Sequence, residues 1–146
     1  DFTSWHESVY LFRFNNVFRN QRPIHYLVFP YFMSLNELIN EISNFVSERD
    51  WEQFHNPKNI AMSISIESGE LLECLQWDSP TASEIISDEK RFNELADEIA
   101  DVQIYLLRMC SMLEINPIEN SRRKLALNKD KYPIDEFSGS SRKYDS

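Results

Sequence analysis

Residues 56–77, NPKNIAMSISIESGELLECLQW, decide the fold. Asn56 followed by Pro57 reads as a helix N-cap with proline at the first helical position, where the missing N–H costs nothing. Ile60, Ala61, Ile64, Leu71, Leu72 and Leu75 then recur at helical spacing, which predicts one helix to about Trp77 with these residues as its core candidates. Inside it stand Glu67 and Glu70, three residues apart and therefore on one face. Gly69 lies between them. A helix-interior glycine costs about 1 kcal/mol relative to alanine, so its placement suggests close approach of another helix or a ligand, or else ordinary helix packing.

The same kinds of signal extend outward. Asp78-Ser79-Pro80 stops the helix, and a polar connection follows to about Asp88. A third long helix is predicted from roughly Glu89 to Leu113, burying Phe92, Leu95, Ile99, Val102, Leu106 and Met109. It carries Glu98-Ile-Ala-Asp101, a second acid pair at the same spacing. Asn116-Pro117 repeats the cap-plus-proline start for a fourth helix to about Lys131, which Tyr132-Pro133 ends. Upstream, Ser34 with Glu37 makes a capping box, and Leu35, Leu38, Ile39, Ile42, Phe45 and Val46 form one apolar stripe. Four helices joined by short or moderate links predict an all-α four-helix bundle. The chain has only two glycines, Gly69 and Gly139, too few for the tight turns of a sandwich or barrel.

With 146 residues, 42% hydrophobic and 27% charged, the chain suits one globular domain with a core. Fifteen basic against 24 acidic residues give a net charge of −9, which opposes binding to nucleic-acid backbones. An acidic protein that handles a polyanion needs a divalent cation between the two. Cys74 and Cys110 sit in apolar helical patterns without C-x-x-C spacing, so free thiols in a reducing cytoplasm are expected. No apolar run is long enough to predict a membrane span.

Residues 1–32 differ from the rest. They hold ten of the nineteen aromatic residues and carry a charge of +1, from Arg13, Arg19 and Arg22 against Asp1 and Glu7. They show no clean period and no signal-peptide pattern. The expected organisation is an aromatic extension over 1–32, a domain over 33–137 beginning at Met33, and a basic tail over 138–146. An aromatic arm packed on a partner subunit is the rival reading of the first segment. The tail is expected to be mobile without ligand.

Glu67, Glu70, Glu98 and Asp101 lie beside core-type residues, which brings four carboxylates toward the bundle interior. Such a cluster must be protonated, paired with bases or neutralised by metal. No Arg or Lys stands within four residues of Glu67 or Glu70, and Arg108 is seven beyond Asp101. An all-oxygen donor set suits Mg²⁺ or Mn²⁺. Iron is disfavoured, because a di-iron bundle uses Glu-x-x-His and none of the three histidines supplies it. The competing reading is a solvated acidic face. Trp51 and Trp77 fall at or beyond helix ends, where an indole can serve as a stacking surface or pack into the core. Tyr105, four residues after Asp101, shares its face. His55 and Asn56 begin the acid-bearing helix, Asn56 as its cap. Lys129, Lys131, Arg142, Lys143 and Tyr144 form a basic group that could meet phosphates or complement a helix end.

The runs RDWEQFHNPKNIAMSISIESGELLECLQW (49–77), ELADEIADVQIYLL (94–107), LNKDKYP and SGSSRKY resemble the MazG-like all-α nucleotide pyrophosphohydrolases, in the branch typified by dCTP pyrophosphatase. The resemblance implies Mg²⁺-dependent cleavage of nucleoside triphosphates to monophosphate and pyrophosphate, in house-cleaning of the deoxynucleotide pool by a homodimer or homotetramer. It implies that Glu67, Glu70, Glu98 and Asp101 are metal ligands; among them Glu70, beside Glu67, is our own choice for the acid that activates water. It places Trp51, Trp77 and Tyr105 at the nucleotide, and Lys131 and Lys143 are candidate phosphate contacts. That branch can carry a histidine nine residues before the tryptophan matching Trp51. Here the position is Ile42, which puts strict dCTP preference in doubt. The rivals are a related hydrolase of dUTP or phosphoribosyl-nucleotides, and a non-catalytic helical adaptor.

Overall fold

The computed structural model describes residues 33–144 and is helical throughout its regular elements. In order these are α1 (Leu35–Ser47), a 3₁₀ turn (Glu52–Phe54), α2 (Pro57–Glu73), α3 (Ala82–Ser87), α4 (Glu89–Met112), α5 (Pro117–Lys131) and α6 (Ile134–Phe137). The aromatic extension over 1–32 lies outside the described residues. None of the described helices is long and apolar enough to cross a membrane.

The helix starts follow the capping chemistry. Glu37 N donates to Ser34 Oγ and Ser34 N donates to Glu37 Oε2, closing the capping box of α1. Asn56 and Asn116 accept from the amides of Asn59 and Glu119 at 3.0 and 3.1 Å, each with proline next in line. Asp88 caps α4 through Arg91 N. Two boundaries differ from the sequence reading. Helix α2 ends at Glu73, and residues up to Trp77 form turns. The polar connection contains α3, whose Thr81-x-x-Glu84 capping box holds it helical.

α2 and α4 form the main packed pair, antiparallel, and α1 and α3 lie against α4. The fully buried apolar side chains are Ile42 and Val46 of α1, Ile60 of α2 and Leu107 of α4. Ile42 is therefore core. Most of the other expected core residues are half-buried, but Phe45, Ala61, Leu72, Ile99 and Leu106 are exposed, Leu72 at 65%. Their spacing is helical, yet the described residues leave much of their surface open. The fourth long helix, α5, is present but makes no comparable packing with another element, leaving Ile118, Leu125 and Leu127 exposed.

As far as Tyr144, the tail lies back on the end of α5. Tyr132 meets Phe137 and Tyr144 edge-on at ring separations of 5.1 and 5.7 Å, and Lys131 Nζ sits 4.6 Å from the Tyr144 ring centre. These contacts hold residues up to Tyr144 against the end of α5.

Candidate functional site

Three contacts set the register of α2 against α4. At one end Arg108 Nε donates to His55 Nδ1 at 3.2 Å. In the middle Glu67 meets Glu98 and Asp101. At the other end Arg91 donates to the carbonyl of Cys74 and to both carboxylate oxygens of Asp78. Because the helices run antiparallel, two acid pairs of i, i+3 spacing meet face to face.

One oxygen from each of Glu67, Glu98 and Asp101 lies within 4.8 Å of the others. Glu67 and Glu98 are half-buried and Asp101 is exposed. Glu98 Oε2 is buried and has no hydrogen-bond partner, a state that carries a desolvation penalty. Burial, and then the charges of Glu70, Asp101 and Glu98, hold the Glu67 carboxyl above the usual range. Glu98 is raised by burial first, then by Glu70, Asp101, Asp97 and Glu73. None of the ion pairs among the described residues, Arg49–Glu48, Lys90–Glu94 and Arg91–Asp78, includes these acids. Hard oxygen donors, mutual repulsion and an unsatisfied inward oxygen fit a divalent cation.

The other expected site residues divide into three groups. Glu70 is exposed and outside the tight group of three, yet its charge acts on both Glu67 and Glu98. Tyr105 is half-buried on α4, one turn beyond Asp101. Trp51 and Trp77 lie beyond opposite ends of the α2/α4 pair, at the His55–Arg108 end and the Cys74–Arg91 end respectively. A single chain does not bring them together. Both indoles are exposed, Trp77 at 88% and Trp51 at 42%. Lys131 engages Tyr144, and Lys143 is exposed on the same tail. A Cβ added to Gly69 would meet nothing within 4 Å, so no element among the described residues explains that glycine by close approach.

Sequence reasoning missed the two arginine contacts. Arg91 is cued only by its closeness to the cap of α4. Arg108 stands two helical turns past Asp101, a spacing that places both on one face. Its pairing with His55 joins residues 53 apart in sequence, beyond the reach of local patterns.

A model of the MazG-like family matches residues 62–146. The mouse protein named dCTP pyrophosphatase 1 is 35% identical over 103 residues, and its human counterpart 36% over 104. Each match covers 70% of this chain and 61% of the relative, so the chain spans about three-fifths of the length of those relatives. The crystal structure of a pyrophosphatase from Archaeoglobus fulgidus DSM 4304 superposes with a TM-score of 0.63 at 44% identity, covering 76% of this chain and 99% of that one. With the family model spanning more than half of its residues, and both acid pairs inside the matched region, the chain belongs to the MazG-like family.

Proposed function

We propose that the protein hydrolyses deoxynucleoside triphosphates, dCTP or a close relative among them, to the monophosphate and pyrophosphate. The names of the relatives support the reaction class. The observation that carries it is the convergence of Glu67, Glu98 and Asp101, of which Glu98 has a buried, partnerless Oε2. Glu67, Glu70, Glu98 and Asp101 would hold Mg²⁺ (or Mn²⁺), which supplies charge neutralisation and orientation of the phosphates when bound. Glu70, exposed at the edge of the cluster, orients a water and takes its proton as that water attacks the α-phosphorus, and pyrophosphate leaves. Tyr105 presents its hydroxyl to the sugar or phosphate, and an exposed indole, Trp51 or Trp77, gives the base a stacking face.

Ile42, sealed in the core, offers the base no polar contact. This supports a looser base preference, with dUTP as a competing substrate. The exposed apolar faces of α2, α4 and α5 support assembly as a homodimer or homotetramer. In such an assembly Lys131 and Lys143 could reach phosphates held by another copy. Free thiols at Cys74 and Cys110 suit a reducing compartment such as the cytoplasm, where nucleotide house-cleaning takes place.

Product analysis with dCTP, dUTP, dATP and dTTP, with and without Mg²⁺, tests the reading on wild type and Glu67→Gln. Pyrophosphate is expected from wild type only with metal, and almost none from the variant. Orthophosphate as the first product would reject attack at the α-phosphorus, and absence of turnover with every nucleotide would reject the enzyme.

A further inference from the structure

The turn that carries Trp51 is tied down from several sides. Asp50 takes a left-handed backbone, φ 53°, which aspartate tolerates better than most residues. Gln53 Nε2 donates to the Asp50 carbonyl and to its carboxylate at 2.9 and 3.0 Å. Trp51 N donates to the Val46 carbonyl at 3.1 Å, fixing the turn to the end of α1, and the indole meets the Phe45 ring edge-on at 5.7 Å. His55 N donates to the Trp51 carbonyl at 3.2 Å, and Asn59 Nδ2 donates to the Phe54 carbonyl at 2.9 Å.

These links attach the turn only to α1 and α2. Arg108 supplies the connection to α4. Its guanidinium is half-buried, donates from Nε to His55 Nδ1, and forms no ion pair with a carboxylate among the described residues. It stands seven residues beyond Asp101, about 10 Å along the helix axis at a rise of about 1.5 Å per residue. That span is comparable with the reach from an α-phosphate across a sugar to its base.

We infer that Arg108 is a positioning residue for nucleoside recognition: through His55 it holds the Trp51 turn at a set distance from the acid cluster, so that the indole meets the base while the phosphates lie at the acids. The inference rests on the proposed function and adds a residue to it. Arg108 touches neither metal nor reacting phosphorus, and its effect passes through Trp51. A rigid platform costs less to order on binding than a mobile one, so the contribution falls on substrate affinity.

Steady-state pyrophosphate release from dCTP with saturating Mg²⁺ is the test, on wild type, Arg108→Met, Trp51→Ala and the double variant, with His55→Leu and His55→Asn alongside. Arg108→Met is expected to raise KM about tenfold, the scale of weakening one base–aromatic stack, with kcat within about threefold and the Mg²⁺-induced thermal shift unchanged. The effect should vanish in the Trp51→Ala background, because the two residues act as one unit. His55→Leu should copy Arg108→Met, whereas His55→Asn, which keeps an acceptor, should restore most of the affinity. If Arg108→Met does not fold, His55→Leu against His55→Asn carries the same comparison. Unchanged KM, full additivity with Trp51→Ala, or a loss confined to kcat or to Mg²⁺ response would overturn the inference while leaving the hydrolase intact. A wild type that turns over no nucleotide would remove the underlying reading instead.

Discussion

The middle and the ends of the α2/α4 pair obey opposite electrostatics. In the middle, Glu67, Glu98 and Asp101 converge with Glu70 nearby, burial and like charge oppose ionisation, and Glu98 Oε2 lacks a partner. At the ends, an arginine of α4 reaches a complementary group: Arg91 both oxygens of Asp78 and the Cys74 carbonyl, Arg108 the unprotonated nitrogen of His55. Favourable contacts therefore clamp the helices on either side of a repulsive centre. A helix pair held only by its apolar stripe could relax by splaying where the acids meet. Clamped at both ends, it keeps them close, which would preorganise the proposed cation site at a cost to the metal-free fold.

The strongest way to break the contrast is to remove repulsion from the centre. Glu98→Gln deletes a proposed metal ligand and a negative charge without changing shape. Turnover should fall on the order of 100-fold or more, the scale of losing one electrostatic partner of a transition state. The metal-free protein should at the same time melt a few degrees higher than wild type. Activity and scanning fluorimetry in EDTA measure both, and equal or lower melting temperature would mean that the centre is not strained.

Proton linkage gives a second, smaller effect of defined sign. Glu67 and Glu98 have folded pKa values above the usual 4.5. As pH rises from there, the folded state holds protons that the unfolded state has lost, so metal-free stability falls until the raised values are passed and stays reduced above them. Under the proposed function, a bound Mg²⁺ would replace those protons. Its stabilisation should therefore be larger at about pH 8 than at about pH 5, as thermal midpoints with Mg²⁺ or EDTA at both pH values would show. A pH-independent shift would separate the cation from these two carboxylates.

Much of this was legible in the sequence because it is local. Caps at Ser34, Asn56 and Asn116 place three helix starts, and i, i+3 spacing puts each acid pair on one face. The missed helix α3 had a capping box too, at Thr81 and Glu84, but too few apolar residues to show a period. Phe45, Leu72 and Ile99 look like core because periodicity reports which face is apolar and not what covers it. The separation of Trp51 from Trp77 is set by α2 itself, whose 17 residues at about 1.5 Å each lie between them, and was readable from the helix the sequence predicts. The Arg108–His55 contact depends on the register of that packing, which no local spacing encodes.

The two clamps themselves can be told apart by acid. Burial first, and the Arg108 charge second, depress the His55 pKa below 6.5. The neutral imidazole therefore contributes stability that is present above 6.5 and lost as pH falls through the folded value. Asp78, held low chiefly by its hydrogen bond from Arg91, sits below 3.8, so its contribution persists above that value and is lost only as pH falls through the lower folded one. Between these limits the Trp51 end should loosen while the Trp77 end stays closed. Amide exchange, corrected for its intrinsic pH dependence, should show protection of His55 N–H and its neighbours falling between about pH 7 and pH 5, with the turn after Cys74 unchanged. The effect is small, since one solvent-screened contact changes at each end. Parallel loss at both ends would show that the helix pair opens as a unit and that the clamps do not act separately.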